Sequence, residues 1–212
     1  MWELVKAGGW LMLPLVLCSI FTVAITIERF IRLKRTMILP KVLLLNQVQN
    51  IDMVMQQLKQ DQALQSSTLG RIFMAGYQSK NQNEQFARAQ METTASQEIG
   101  YLEKNINFLG TLSAVAPLLG LLGTVLGIIE SFLVIDLGTN SNPTLMIPGI
   151  SKALITTAAG MFIAIPALFA YRYFQRLVQE YIAELEQQST LFHAALFYQN
   201  STDQEQDIRK AG

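Results

Sequence analysis

The sequence NINFLGTLSAVAPLLGLLGTVLGIIESF, residues 105–132, decides the fold of this chain. Between Lys104 and Glu130 it holds 25 residues without a charged side chain. A helix needs about 20 apolar residues to cross the hydrocarbon core of a bilayer, so this stretch predicts a transmembrane helix. Small residues recur in steps of three and four, at Gly110, Ala114, Pro117, Gly120, Thr124, Gly127 and Ser131. Such steps place them on one helical face, which indicates a helix that faces other helices or a lumen.

The composition extends this interpretation to the whole chain. Of the 212 residues, 50% are hydrophobic, and the 16 basic residues balance the 16 acidic residues. Three runs are free of charge over a membrane-spanning length: residues 7–27, 105–129 and 153–171. We therefore predict an all-α membrane protein with three transmembrane helices, the second and third extended into the cytoplasm as long helices. The neutral balance favours no nucleic-acid partner.

Charges at the ends of the runs predict the orientation in the bilayer. The first run is followed by ERFIRLKR, and such positive charge holds that end in the cytoplasm. The N-terminus is then periplasmic and the C-terminus cytoplasmic. The predicted segments are an N-terminal periplasmic end with the first span (1–31), a cytoplasmic helical region (32–104), the second span (105–134), a short periplasmic loop (135–149), the third span (150–172), and a C-terminal cytoplasmic helix and tail (173–212).

Outside the spans the sequence predicts helices and no chemistry. Pro40 is expected to break the helix that leaves the first span, and helical patterns follow over 41–60, 66–80 and 84–104. Because no proline lies between Glu84 and Pro117, one helix is expected to run unbroken into the second span. The third-span helix is expected to continue to about Asn200, with a disordered tail from Ser201.

The third span repeats the small-residue pattern of the second. Its small residues are Ala153, Thr157, Gly160, Ala164 and Ala167, and Pro166 lies among them. We predict that the two faces pack closely, with Gly120, Gly123, Gly127, Gly160, Pro117 and Pro166 as the close-packing residues.

The polar side chains of the spans are hydroxyls. Thr124, Thr156 and Thr157 can each bond a carbonyl of their own helix and do nothing else, or they can ring a narrow lumen and form a proton path. No Asp or Glu lies near the middle of a span, so a proton path needs a titrating group from another chain. The sequence shows no nucleotide loop, metal-ligand cluster or catalytic set, so we predict no enzyme activity, no cofactor and no metal. Cys18 is interpreted as a small buried packing residue, and His193 as a surface or packing residue.

Two motifs carry a resemblance to a known family: AVAPLLGLLGTVLGIIESF in the second span and ISKALITTAAGMFIAIP in the third. They resemble the MotA/TolQ/ExbB proton-channel family, and the ExbB/TolQ branch is the closer match. The resemblance implies a homopentamer in the bacterial inner membrane. It also implies an ExbD/TolR-type single-span partner that supplies an intramembrane aspartate, and a TonB- or TolA-type protein that receives the motion. Thr124 and Thr157 match the threonines that the family places in its proton path.

The function that follows is a proton-channel subunit of an ExbB–ExbD-like motor, which uses the proton motive force to energise TonB-dependent outer-membrane transport. A TolQ-like role in envelope maintenance is the alternative within the family, and a passive membrane scaffold is the alternative of another class. One departure concerns Lys152, which stands where ExbB-type members often carry an acid. We place Lys152 and Glu130 at the lumen mouth, where the lysine can repel protons, pair with Glu130 or Asp136, or extend to the lipid headgroups.

Overall fold

The structure is a computed structural model that describes residues 8–45, 51–136 and 143–211. These residues form helices and connecting turns, without a strand among them. The helices are α1 (Met12–Arg32), α2 (Arg35–Ile38), α3 (Ile51–Gln60), α4 (Gln62–Ser66), α5 (Thr68–Gln78), α6 (Glu84–Glu103), α7 (Ile106–Asp136) and α8 (Ile147–Ala211). Short 3-10 turns occupy Lys41–Leu43 and Pro143–Met146.

Three helical stretches are long and apolar enough to cross a membrane: Met12–Arg32, Glu84–Leu133 and Thr144–Phe197. The second and third contain the charge-free runs 105–129 and 153–171, and the first contains residues 12–27 of the run 7–27. The second and third stretches extend far beyond a single span, with 50 and 54 residues. The predicted all-α fold with three spans, two of them in long helices, is confirmed, and the chain is a multi-pass membrane protein.

The chain forms two compact units. The span unit comprises the described residues of Met1–Arg29 and Asn105–Gln175, and the second unit comprises those of Phe30–Lys104 and Arg176–Gly212. The two units use different side chains to hold their helices together.

In the span unit, α1 buries one face, formed by Met12, Leu15, Thr22, Ile25 and Arg29. The Phe21 ring meets the Phe108 ring of α7 edge-on, with 6.2 Å between the ring centroids. The Asn105 side-chain amide donates a hydrogen bond of 3.0 Å to the Glu28 carboxylate. These contacts fix α1 against the beginning of α7. Large apolar side chains on the remaining faces are exposed, as lipid or further protein requires.

The second unit has a core of large apolar side chains, as expected of a structure that folds in water. Leu58, Leu69, Ile72, Phe73 and Phe192 are each fully buried, at 0% exposure. The rings of Phe73 and Phe192 stack with their centroids 4.1 Å apart, which joins α5 to α8. Side chains cap the N-termini of α4, α5 and α6, where backbone N–H groups lack a partner within the helix; the capping residues are Asp61, Ser67 and Asn83.

One face of α8 holds the segment that follows α1. The Tyr181 hydroxyl donates to the Leu33 carbonyl over 3.0 Å. Arg35 forms an ion pair of 2.6 Å with Glu184, and Gln188 accepts a hydrogen bond of 2.7 Å from the Leu45 amide. Because Tyr181, Glu184 and Gln188 are spaced by three and four residues, they lie on the same side of the helix.

The structure corrects several predicted helix ends. The prediction of one unbroken helix from Glu84 into the second span was wrong, because α6 ends at Glu103 and α7 begins at Ile106. Between them Asn105 has a φ of 63°, in the left-handed region that Asn enters more readily than most residues. Asn105 therefore breaks the helix without a proline or glycine, which the sequence pattern did not reveal.

Other helix ends also differ from their predicted positions. The helix of the first span ends at Arg32, well before Pro40, and α8 begins at Ile147, inside the predicted loop of 135–149. The helix of the second span continues to Asp136. The prediction of a disordered tail from Ser201 was wrong, because α8 extends to Ala211. Neither glycine nor proline interrupts the helix over residues 201–211. The rest of the predicted loop, 137–142, and the predicted pattern over 46–50 lie outside the described residues.

The left-handed backbone of Asn105 gives a prediction that reverses the usual helix preference. Asn105→Gly keeps the backbone geometry and loses the bond to Glu28, whereas Asn105→Ala also strains the backbone. Alanine should therefore lower the free energy of unfolding by about 1 kcal/mol more than glycine does. Thermal unfolding of the purified protein in detergent measures the order. Asn107→Ala, at an exposed position, serves as the control and should change the free energy of unfolding by less than about 0.5 kcal/mol. If Asn105→Ala were as stable as Asn105→Gly or more stable, the backbone strain would be contradicted.

Candidate functional site between helices α7 and α8

The backbones of α7 and α8 touch in the middle of the span unit. A Cβ atom built on Gly120 would lie 3.0 Å from the Thr156 carbonyl oxygen and 3.1 Å from the Thr157 Cα. A Cβ on Gly160 would lie 2.6 Å from the Ala116 carbonyl oxygen and 3.1 Å from the Gly120 Cα. Only glycine leaves room for so close an approach, which is how helices associate in a membrane without a hydrophobic driving force.

The same contact continues toward the end of the span unit where α7 ends and α8 begins, which we call the loop end. A Cβ on Gly127 would lie 2.8 Å from both the Ala153 Cβ and the Gly149 carbonyl oxygen. The Ser131 hydroxyl, which is buried, donates to the Gly127 carbonyl over 2.8 Å and lies 3.3 Å from the Met146 carbonyl. The contact therefore extends from Ala116 to Ser131 on α7.

Thr156 fills the space that Gly123 leaves. A Cβ on Gly123 would overlap with the Thr156 side chain, which is 1% exposed. The Thr156 hydroxyl points back along its own helix, 2.9 Å from the Ala153 carbonyl and 3.1 Å from the Lys152 carbonyl. Thr156 is thus enclosed between the two helices, and its hydroxyl hydrogen is donated to a carbonyl of its own helix.

Thr124 and Thr157 are half-buried residues, and their hydroxyls have different partners. Thr157 donates across the interface to the Gly120 carbonyl over 2.9 Å. Thr124 donates to the Leu121 carbonyl of its own helix over 2.6 Å. In both residues the hydrogen is committed to a carbonyl, while the oxygen lone pairs remain able to accept a hydrogen bond.

The closely packed face of α7 is turned relative to the small-residue stripe that the sequence indicated. At about 100° per residue, Gly123 lies about 60° to one side of Gly120, and Thr124 lies about 40° to the other. The face in contact with α8 consists of Ala116, Gly120, Gly123, Gly127 and Ser131. Thr124 lies at its edge, Ala114 is exposed and Pro117 is half-buried. On α8, Pro166 is exposed between the buried Ala164 and Ala167.

Two residues of this contact were not singled out from the sequence. Ala116 lies four residues before Gly120, so its spacing was a usable signal that the neighbouring Ala114 and Pro117 obscured. Gly149 was assigned to the loop, although it lies four residues before Ala153 and continues the same face of α8.

At the loop end, the Lys152 ammonium forms an ion pair of 2.7 Å with the Glu130 carboxylate. Of the arrangements that the sequence left open for Lys152, the structure shows the pair with Glu130. His, Cys, Asp and Glu residues of the described ranges form no group of three that could hold a metal ion.

The chain matches the MotA/TolQ/ExbB proton channel family over residues 64–187, a range that includes the whole contact between α7 and α8. A putative biopolymer transport protein, ExbB-like 1, from Synechocystis sp. is 31% identical over 206 residues, which are 91% of this chain and 78% of the relative. The Tol-Pal system protein TolQ from Haemophilus influenzae is 36% identical over 111 residues, 50% of this chain and 49% of the relative.

The biopolymer transport protein ExbB from Salmonella typhimurium is 40% identical over 85 residues, which are 40% of this chain and 35% of the relative. The chain therefore spans about half of the TolQ relative and about a third of the ExbB relative. The match to the ExbB-like relative extends over most of this chain.

The close backbone contact predicts opposite effects for the same substitution at two glycines. Gly160→Ala places a methyl group against the Ala116 carbonyl and should destabilise the protein by about 1–3 kcal/mol. Gly100→Ala in α6 meets nothing within 4 Å and should stabilise it by up to about 1 kcal/mol through helix propensity. Unfolding midpoints in detergent measure both. A neutral Gly160→Ala would show that the helices do not approach as closely as described.

Proposed function

The chain belongs to the MotA/TolQ/ExbB proton channel family, and from that premise we propose that it is the proton-channel subunit of an ExbB–ExbD-like inner-membrane motor. In this role it uses the proton gradient to energise TonB-dependent transport across the outer membrane. The observation that carries the proposal is the contact between α7 and α8, which lies inside the family match and brings Thr157 to Gly120.

The chain supplies hydrogen-bond acceptors and no proton carrier. Residues 105–129 and 153–171 contain no Asp or Glu, so the group that binds and releases the proton belongs to another chain. An ExbD/TolR-type partner with one span and an intramembrane aspartate has the required chemistry. Its helix enters a lumen that several copies of this chain, five by family resemblance, form in the inner membrane.

The hydroxyl geometry supports one role for Thr124 and Thr157 in such a lumen. Their hydrogens are held by the carbonyls of Leu121 and Gly120, so each oxygen faces a ligand as an acceptor. An acceptor can bond the protonated form of a carboxyl group, which has an O–H to donate, and it cannot bond the bare carboxylate. The two residues therefore favour the neutral aspartic acid while it passes through the bilayer.

Thr156 has a different role in this proposal. It is enclosed against Gly123, so it positions α8 and thereby Thr157, the next residue along the helix. The proposed proton path thus contains Thr124 and Thr157, and Thr156 holds α8 in the position that this path needs.

The N-terminus is proposed to be periplasmic and the C-terminus cytoplasmic, as the basic residues after the first span favour.

A TolQ-like role is the second candidate, because the TolQ relative covers half of the chain at 36% identity. In that role the same subunit works with a TolR-type partner and drives a TolA-type protein that maintains the envelope. A passive scaffold is the candidate of another class, since close glycine contacts also occur where helices merely associate.

The channel is tested by removing single hydroxyls. Thr157→Val and Thr124→Val keep the side-chain shape but lose the acceptor, and each should lower proton flux at least about tenfold in vesicles that contain the chain and its partner. Thr157→Ser restores the hydroxyl and should recover most of the flux. Thr111→Val is the matched control, because Thr111 is exposed and bonds only the Asn107 carbonyl of its own helix. Undiminished flux in both valine variants, with the complex intact, would refute the proposed path.

A deletion strain separates the two roles within the family. Loss of growth on a TonB-dependent iron or cofactor source, with normal resistance to detergent, is the expected result. Detergent sensitivity with normal uptake would assign the chain to the TolQ-like role instead. Complementation by the unchanged gene controls for effects on neighbouring reading frames.

A further inference from the structure

The ion pair at the loop end lies next to the proposed proton path. Lys152 occupies α8 one turn before Thr156, and its backbone carbonyl accepts the Thr156 hydroxyl over 3.1 Å. One helical turn is about 5.4 Å long. The Lys152 side chain is 29% exposed and that of Glu130 is 56% exposed, so the pair borders the exterior of this unit without being buried.

The turn before α1 holds the lysine in place. Gly9 has a φ of +72°, and a Cβ built on it would overlap with the Lys152 Cε and lie 3.0 Å from its Nζ. The backbone of Gly9 therefore lies directly on the lysine side chain. A Cβ on the preceding Gly8 would lie 3.4 Å from the Thr156 Cγ2, so the same turn also covers Thr156. Glycine is required here both by the left-handed conformation and by the space.

The position of this charge matters because the adjoining runs of the second and third spans, 105–129 and 153–171, contain no charged residue. Lys152 immediately precedes the charge-free run 153–171, and Glu130 immediately follows the run 105–129. A lysine held rigidly at this position without a counter-ion would place a full positive charge within about two helical turns of Thr157. Pairing at 2.7 Å turns that charge into a dipole, whose field falls off much faster with distance.

We infer that Glu130 is the fixed counter-ion of Lys152 and that the Gly8–Gly9 turn clamps the lysine onto it, so that the pair presents no net charge to the proton path. The inference rests on the proposed channel function. An unpaired cation there opposes the proton in two ways. It repels protons that approach the hydroxyls, and it favours the ionised form of the partner's carboxyl group over the neutral form.

The electrostatic role is distinguished from a structural one by neutral substitutions. Proton flux is measured in vesicles that contain the chain and its partner, at about 20 mM and about 500 mM salt. Glu130→Gln leaves Lys152 unpaired and should lower flux about tenfold at low salt, with partial recovery at high salt. Glu130→Gln combined with Lys152→Gln removes both charges and should recover the flux, although the ion pair is then absent.

Glu180→Gln provides the matched control. It breaks the exposed ion pair of 2.9 Å between Glu180 and Arg176, which lies in the second unit, and it should leave flux unchanged. Equal impairment of Glu130→Gln and the double variant would overturn the inference, because a structural ion pair would then explain both. An unchanged flux in Glu130→Gln would overturn it as well.

A second measurement tests the clamp without relying on proton flux. The purified full chain in detergent is treated with an amine-acylating reagent, and the labelling of Lys152 relative to the exposed Lys41 is followed by mass spectrometry. Glu130→Gln and Gly9→Ala should each raise the relative labelling of Lys152 about threefold, because the ammonium is no longer held. If the unchanged chain shows no proton flux, the proposed function fails, while increased labelling still supports the clamp. Unchanged labelling in both variants would refute the clamp whatever the flux.

Discussion

The direct contact between the backbones of α7 and α8 is the constraint on which the span unit depends. Lipid tails are as apolar as leucine, so burying large side chains gives helices in a bilayer little reason to associate. Close approach compensates, because it brings many atoms into van der Waals contact and allows the Thr157 hydroxyl to reach the Gly120 carbonyl over 2.9 Å. The second unit is held together differently, by a core of large apolar side chains in which the rings of Phe73 and Phe192 stack.

The charge-free runs predicted the spans because a bilayer imposes a length and excludes unpaired charge, and both are visible in sequence. The glycine pattern likewise predicted that the second and third spans meet. It could not fix which side of α7 makes the contact, since stripes of small residues on either side of Gly120 satisfy the same spacing of three and four. The choice of Gly123 over Thr124 is decided by the shape of the facing helix, where the Thr156 side chain fills the space beside Gly123.

The break at Asn105 was missed for a different reason. Glycine and proline are the strongest signals of a helix end, and asparagine is a weaker one. Asn105 also gains a side-chain bond to Glu28, on a helix 77 residues earlier in the chain. A long-range partner of this kind leaves no local pattern.

The ion pair between Glu130 and Lys152 was one of several possibilities in the sequence, and only the fold shows that α7 and α8 bring these two residues together.

In the proposed channel, the hydrogen-bond acceptors and the charges of this chain act in the same direction. Thr124 and Thr157 offer acceptors, because their hydrogens are held by backbone carbonyls. Acceptors stabilise a protonated carboxyl group, whereas a free cation would stabilise the ionised carboxylate and work against them. A lysine one turn from Thr156 is therefore compatible with such a site only when its charge is cancelled. Glu130 provides that cancellation, and the glycine turn before α1 keeps the lysine from leaving its partner.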